Sequence, residues 1–125
     1  MSGALPLFVY GASMTGHERS PLLGALGRRL GTVRGTLWSM PAGYPALVPG
    51  GDGLVHGELI DPPDERLLGL LDGLEGVDQG LYRRIRCDVR IGLRAEVAWA
   101  YAMDAAWART GRRIPDGRWR PSRRR

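Results

Sequence analysis

From Ile85 to Met103 the chain alternates, turns once and alternates again. Ile85, Cys87, Val89 and Ile91 are interleaved with Arg84, Arg86, Asp88 and Arg90. Gly92 to Arg94 reads as a turn, after which Val97, Trp99, Tyr101 and Met103 alternate with Glu96, Ala98, Ala100 and Ala102. A period of two sends successive side chains to opposite faces, so the pattern predicts a half-buried β-hairpin. The chain also carries 19 Gly and 9 Pro, which call for tight turns and long connections and argue against a helical bundle.

The remaining segments fit around that hairpin. Leu5 to Tyr10 is nearly continuous in apolar residues and reads as a buried strand. Gly11 to Gly16 breaks it. Apolar residues at 22, 23, 26 and 30 predict a short helix over Pro21–Leu30, with Ser20 as N-cap and Pro21 at the first position. Residues 31–39 predict a second strand, Tyr44 to Val48 a short extended segment, Gly50 to Gly53 a turn and Leu54 to Ile60 another strand. Pro62-Pro63 then opens a leucine-rich helix that ends at Glu75, followed by a loop over 76–80. Six extended segments and two helices, with mostly antiparallel strands, predict an α+β domain built on a small curled sheet or barrel.

Composition bounds the chemistry. A chain of 125 residues is one domain with room for a core. All 18 basic residues are Arg, so a lysine Schiff base, a pyridoxal phosphate anchor and a Walker lysine are excluded. His17, His56 and Cys87 cannot supply a structural Cys/His zinc site, and no metal or cofactor is expected. A single cysteine allows no internal disulfide and fits a reducing, cytoplasmic setting. No charged-then-apolar N-terminal segment and no long apolar run suggests a leader or a membrane span. Residues 1–108 hold 10 Arg against 12 acidic residues, whereas 109–125 hold 8 Arg against Asp116 alone. The high pI therefore belongs to the end of the chain. Residues 120–125 read as a solvated Arg-rich tail, and nucleic acid is not the expected partner.

One carboxylate points the wrong way. With Leu67 at 0° and about 100° per residue, Leu71 falls near 40° and Leu68 near 100° on the helical wheel. Glu75 lands near 80°, between them on the apolar face. Gly76 suits the left-handed position after a helix end. Burial and the negative end of the helix dipole both oppose the charge of a carboxylate there, which moves its pKa towards the range of a general base. The alternative is a glutamate tied to an arginine or curled into solvent. Asp72, about 60° away on the wheel, reads as a solvated flank.

The glycine-rich turn Tyr10-Gly11-Ala12-Ser13-Met14-Thr15-Gly16 follows a buried strand, where consecutive N–H groups can cradle an anion or an oxyanion. It lacks the lysine of a phosphate-binding loop. It also misses the serine-hydrolase elbow, because Thr15 stands where glycine is expected, and a Ser13 triad with His17 or His56 is not favoured. His56 reads as a structural histidine within a strand. Trp119, after Gly117, reads as packing the chain end onto the barrel.

Taken in order, Phe8-Val9-Tyr10-Gly11, Gly43 to Pro49, Val55 to Leu59, Leu71-Asp72-Gly73-Leu74-Glu75-Gly76, Tyr82-Arg83-Arg84 and Gly117-Arg118-Trp119 resemble the γ-glutamylcyclotransferase-like family. They are most similar to its short bacterial branch, related to γ-glutamylamine cyclotransferases. The resemblance covers about residues 7 to 119, the expected domain being 1–119. It implies a small mixed, mostly antiparallel β-barrel with flanking helices and a pocket at one end. It also implies Glu75 as catalytic acid and base, and a small-molecule γ-glutamyl substrate bound by Tyr10, Gly11, Ala12, Ser13, Met14 and Tyr82. The reaction would release 5-oxoproline and an amine. Ala12 departs from the Ser or Thr usual after Tyr-Gly in this family, so a substrate hydrogen bond is lost there unless Ser13 supplies it. A non-catalytic binding domain on the same barrel is the competing reading.

Residues 120–125 carry no large apolar side chain that would anchor them. Truncation after Trp119 is therefore expected to leave the far-UV circular dichroism and the catalytic rate within about twofold of the full chain. Unfolding of the shortened protein would make the tail part of the domain.

Overall fold

A closed ring of five strands cannot be antiparallel throughout, because direction would have to alternate around an odd number. The computed structural model, which describes residues 4–11, 14, 20–24 and 26–120, meets this with one parallel junction. The elements are β1 (Leu7–Val9), a 3-10 helix (Ser20–Leu23), β2 (Arg28–Ser39), β3 (Pro45–Ile60), α1 (Glu65–Leu74), β4 (Arg83–Ile91), β5 (Arg94–Ala102), α2 (Ala105–Ala108) and β6 (Arg112–Ile114). Antiparallel pairs join β1 to β3, β3 to β2, β2 to β4 and β4 to β5. β5 closes the ring by lying parallel to β1, with Trp99 opposite Leu7. β3 also touches β5 in parallel at Leu47 and Ala102, and β6 adds to the end of β2. The expected small mixed barrel with flanking helices is the observed fold.

The hairpin forms as its alternation predicts, with Arg83 to Ile91 paired to Ala102 to Arg94. Three local expectations are corrected. The helix expected over Pro21–Leu30 is only the turn Ser20–Leu23. Gly24 takes a φ of 55°, and Arg28 to Leu30 instead pair with Ile60 to Glu58. Two glycines weaken a helix here by about 1 kcal/mol each, and ladder hydrogen bonds outweigh what remains of the propensity. The segments expected at 44–48 and 54–60 are one strand, β3. Pro49 faces Gly35 and Leu54 faces Arg34, so the predicted turn at 50–53 loops out within the strand and does not end it. β6 has no apolar alternation to announce it; it exists because its backbone finds Leu37 to Ser39.

The barrel interior is filled by Phe8, Tyr10, Val33, Leu37, Leu47, Val55, Leu59, Val89, Ala98 and Ala100. On β5 it is the alanines that turn inward, while Val97 is 46% exposed. Small residues on β5 leave space for the rings of Phe8 on the neighbouring β1 and of Tyr10 just after it, whose centroids lie 6.3 Å apart. The alternate residues Leu7 and Val9 pack outward with Ile60, Leu71, Tyr82, Tyr101 and Met103. β1 is thus buried on both faces, which is why it reads as a continuous apolar run. Trp119 packs against the interior cluster, and the His56 N–H donates to the Gly117 carbonyl at 2.8 Å, tying the chain end to β3. Among the described residues no helix is long and apolar enough to cross a membrane.

This assignment of faces is testable on β5. Ala100→Leu should destabilise the domain by about 1–3 kcal/mol through overpacking. Val97→Ala should stay within about 0.5 kcal/mol of wild type. Urea unfolding midpoints measure both, and the reverse order would place β5 with the other face inward.

Candidate active site

The helix that carries Glu75 is defined at both ends by hydrogen bonds. The Asp64 carboxylate caps its start by accepting from the Leu67 N–H at 2.8 Å. At the other end Glu75 is the C-cap, and Gly76 follows with a φ of 65°. The Gly76 N–H donates to the Gly73 carbonyl at 3.1 Å, and the Val77 N–H donates to the Asp72 carbonyl at 3.1 Å. That pair of bonds is the Schellman arrangement, in which a left-handed residue turns the chain sharply off the helix. Val77 and Leu71 join the same apolar cluster, completing the stop. Leu71 is buried whereas Leu70 and Leu74 are 51% and 44% exposed, so the helix faces inward through the arc that includes Leu71 and Glu75.

Glu75 lies half-buried on the wall of a cavity of about 160 Å³. The same cavity is lined by Tyr10 and Gly11 at the end of β1, Tyr44 and Pro45 at the start of β3, Tyr82 before β4 and Tyr101 on β5. Leu7, Phe8, Val9, Leu71, Leu74 and Leu81 complete it. Among the described residues that line it, Glu75 is the one carboxylate. Gly11 is fitted to Pro45: a Cβ added there would stand 2.6 Å from the Pro45 Cγ. The Met14 N–H donates to the Gly11 carbonyl at 3.0 Å.

Three of the four pocket tyrosines, Tyr10, Tyr82 and Tyr101, donate their protons to internal acceptors. The Tyr10 hydroxyl donates to the Tyr101 carbonyl at 2.5 Å and accepts from the Leu47 N–H at 3.2 Å. The Tyr82 hydroxyl donates to the Pro45 carbonyl, and the Tyr82 ring meets Tyr44 edge-on at 6.0 Å. The Tyr101 hydroxyl donates to the Asp72 carboxylate at 2.6 Å. Burial raises the Tyr10 phenol well above its usual value, with Tyr82 and Glu75 adding to the effect. Tyr101 is raised as well, by burial first and then by its bond to Asp72. Tyr10 and Tyr101 therefore stay neutral at physiological pH.

Tyr10, Gly11, Glu75 and Tyr82, singled out from the sequence, meet at this cavity. Met14 does not line it; it borders an open groove with His56, Arg118 and Trp119. Ala12, Ser13 and His17 lie outside the described residues. His56 also stands away from the cavity, its pKa lowered by burial and by Arg118. Asp72 is not a solvated flank, as its wheel position suggested. It accepts from the Arg84 Nε at 2.8 Å and Nη2 at 3.2 Å as well as from Tyr101. The sequence reading also passed over Tyr44, Pro45 and Tyr101. The Tyr101 side chain belongs to the alternating outward set of β5, and only the packing of α1 over that face makes it a pocket residue. No three His, Cys, Asp or Glu among the described residues cluster as a metal site would require.

Comparison with known proteins fits this architecture. The family model described as gamma-glutamyl cyclotransferase, AIG2-like, matches residues 7–121. No curated protein sequence matches the chain. YkqA from Bacillus subtilis is similar in structure, with a TM-score of 0.75 at 24% identity over 93% of this chain. The chain spans only 39% of the length of YkqA. An AIG2-like protein from Mus musculus has a TM-score of 0.75 at 21% identity, with 99% of this chain and 100% of that one covered. A structure described as gamma-glutamyl cyclotransferase has a TM-score of 0.67 at 18% identity, covering 81% of this chain and 67% of that one. At these identities the structural likeness is one of fold.

The tyrosine bonds make a prediction about stability. Tyr10→Phe leaves the buried Leu47 N–H and Tyr101 carbonyl without this partner, at a cost of about 1–3 kcal/mol. Because the folded-state pKa of Tyr10 is raised, its contribution is fully present below the unfolded value of about 10 and is lost as pH rises through the folded value. Urea unfolding at neutral and alkaline pH should show a less stable variant with a shallower alkaline decline. Equal stability of the two proteins at neutral pH would contradict the assigned bonds.

Proposed function

The chain belongs to the AIG2-like γ-glutamyl cyclotransferase family, and from that premise we propose that it cyclises a small γ-glutamyl amine or γ-glutamyl amino acid to 5-oxoproline, releasing the amine. The family and the fold support a cyclotransferase-type function. The observation that carries the specific reading is Glu75, which a Schellman helix end directs into a tyrosine-lined cavity beside Gly11.

The chemistry asks little of the protein. The substrate holds its own nucleophile, the α-amino group, and its own electrophile, the γ-carbonyl. Bringing the two together in a folded conformer converts tethering into rate, and orientation of this kind contributes on the order of 7 kcal/mol or more in favourable cases. Glu75 takes a proton from the α-ammonium. The amine attacks the γ-carbonyl carbon and closes the five-membered ring. Glu75 then gives that proton to the departing nitrogen as the old amide bond breaks. The second proton left on the ring nitrogen passes through the freed carboxylate to the released amine, leaving a neutral ring nitrogen in 5-oxoproline and an ammonium product. The backbone of the turn that begins at Gly11 holds the substrate carboxylate or the oxyanion. Tyr82, Tyr44 and Leu71 shape the wall against which the glutamyl chain folds. Glu75 works from a half-buried place at the negative end of α1, where burial and the helix dipole both oppose a charged carboxylate.

The deciding experiment is release of 5-oxoproline from a panel of γ-glutamyl amines and γ-glutamyl amino acids by wild type and by Glu75→Gln. The amide keeps the shape but cannot shuttle the proton. Turnover should fall by about a hundredfold to ten-thousandfold, with substrate binding measured by calorimetry retained. Wild type that binds such compounds without releasing 5-oxoproline would mark a binding domain on this barrel. A folded Glu75→Gln protein that keeps more than half the rate would remove Glu75 from the mechanism.

A further inference from the structure

We propose that Asp72, clamped by Arg84 and Tyr101, is the positioning residue that fixes the end of α1 and thereby the carboxylate of Glu75, an inference that rests on the reading of Glu75 as acid and base. Asp72 stands one helical turn before Glu75. Its Oδ1 accepts from the Arg84 Nε at 2.8 Å and from the Tyr101 hydroxyl at 2.6 Å, and its Oδ2 accepts from the Arg84 Nη2 at 3.2 Å. Its carbonyl receives the Val77 N–H, the long bond of the helix stop. One residue thus joins the end of α1 to β4 through Arg84, to β5 through Tyr101, and to its own terminating turn.

The partners are themselves held. The Arg84 guanidinium lies over the Trp99 ring at 4.3 Å from the centroid, and Arg86 approaches the same ring at 5.4 Å. The Arg84 and Asp72 side chains keep only 25% and 27% of their surface exposed, so water competes weakly for the pair. A two-pronged guanidinium–carboxylate bond fixes angle as well as distance. Tyr101 carries the fixation to the cavity floor, because its carbonyl accepts the Tyr10 hydroxyl.

The helix needs such a clamp. Leu71 is the one fully buried side chain of α1, and Leu70 and Leu74 lie half in solvent, so packing alone constrains the roll of this ten-residue helix poorly. A roll about the axis moves Glu75 across the cavity wall. Proton transfer needs the carboxylate within about 2.6–3.2 Å of the nitrogen it serves, and a misplacement of about 1 Å costs on the order of a hundredfold. Asp72 does not line the cavity, so it acts through Glu75 and not on substrate.

The test is steady-state kinetics and thermal unfolding of Asp72→Asn, Arg84→Gln, their double variant, and Asp72→Asn in the Glu75→Gln background, with a γ-glutamyl amine that wild type turns over. Each single change should lower kcat by about 10- to 100-fold and leave KM within about threefold. The double variant should be no worse than the poorer single one, since both break one bond pair. Asp72→Asn should cost nothing further once Glu75 is Gln. A lower Tm with kcat per folded molecule within twofold of wild type would overturn the proposal, as would a loss confined to KM. Losses that multiply with Glu75→Gln would also overturn it. Should the Asp72 variants fail to fold, Tyr101→Phe removes one of the three bonds and keeps the ion pair; a folded Tyr101→Phe protein with unchanged kcat refutes the clamp, and a fall of threefold or more supports it. Retained turnover in Glu75→Gln alone, or a wild type inactive on every γ-glutamyl compound, overturns the functional reading and this proposal with it.

Discussion

Closure of the barrel depends on the junction between β1 and β5. With five strands in the ring one neighbour pair must run parallel, and here that pair shares a single register position, Leu7 opposite Trp99. The Trp99 N–H donates to the Pro6 carbonyl at 2.9 Å. Beyond it a side chain continues the connection: the Tyr10 hydroxyl joins the Tyr101 carbonyl on β5 to the Leu47 N–H on β3. Where strands separate, backbone polar groups need other partners, and a buried phenol can serve two of them at once. The cavity lies at this parting of β1 from β5, so the constraint that closes the barrel also opens its pocket.

The second determinant is the manner in which α1 stops. A helix end exposes carbonyls and a negative dipole, which is unfavourable ground for a carboxylate. The Schellman turn satisfies the carbonyls of Asp72 and Gly73, leaving the Glu75 side chain to face the tyrosines. Asp72 and Glu75 are the same functional group one turn apart, yet their surroundings divide the work. Asp72 is paired with Arg84 and accepts a hydrogen bond from the Tyr101 hydroxyl, so it serves as an anchor. Glu75 instead faces a cavity in which Tyr10, Tyr82 and Tyr101 have already committed their hydroxyl protons elsewhere.

Much of this was legible in the chain because it rests on local periodicity. The period of two from Ile85 to Met103 appears as β4 and β5 with the expected turn, and the wheel position of Glu75 between Leu71 and Leu68 corresponds to its place on the cavity wall. Gly76 after Glu75 reads as a helix stop and is one. The failures have a common cause. Pro49 to Gly53 carries strong turn signals, yet β3 runs through it because β2 pairs on both sides. Arg28 to Leu30 fitted a helix by spacing until Glu58 to Ile60 offered a ladder. Asp72 looked solvated because its partner Arg84 lies 12 residues away on another element.

The sequence by itself determined the alternating strands, the leucine-rich helix with its glycine stop, the exclusion of lysine chemistry and the inward carboxylate. These follow from steric rules and residue chemistry acting over a few positions. Only the tertiary structure decided that the alanines of β5 line the barrel, that four tyrosines share one cavity with Glu75, and that Asp72 joins Arg84 and Tyr101. Such contacts pair residues far apart along the chain, and their free energy comes from burial and from hydrogen bonds that exist only after the ring has closed.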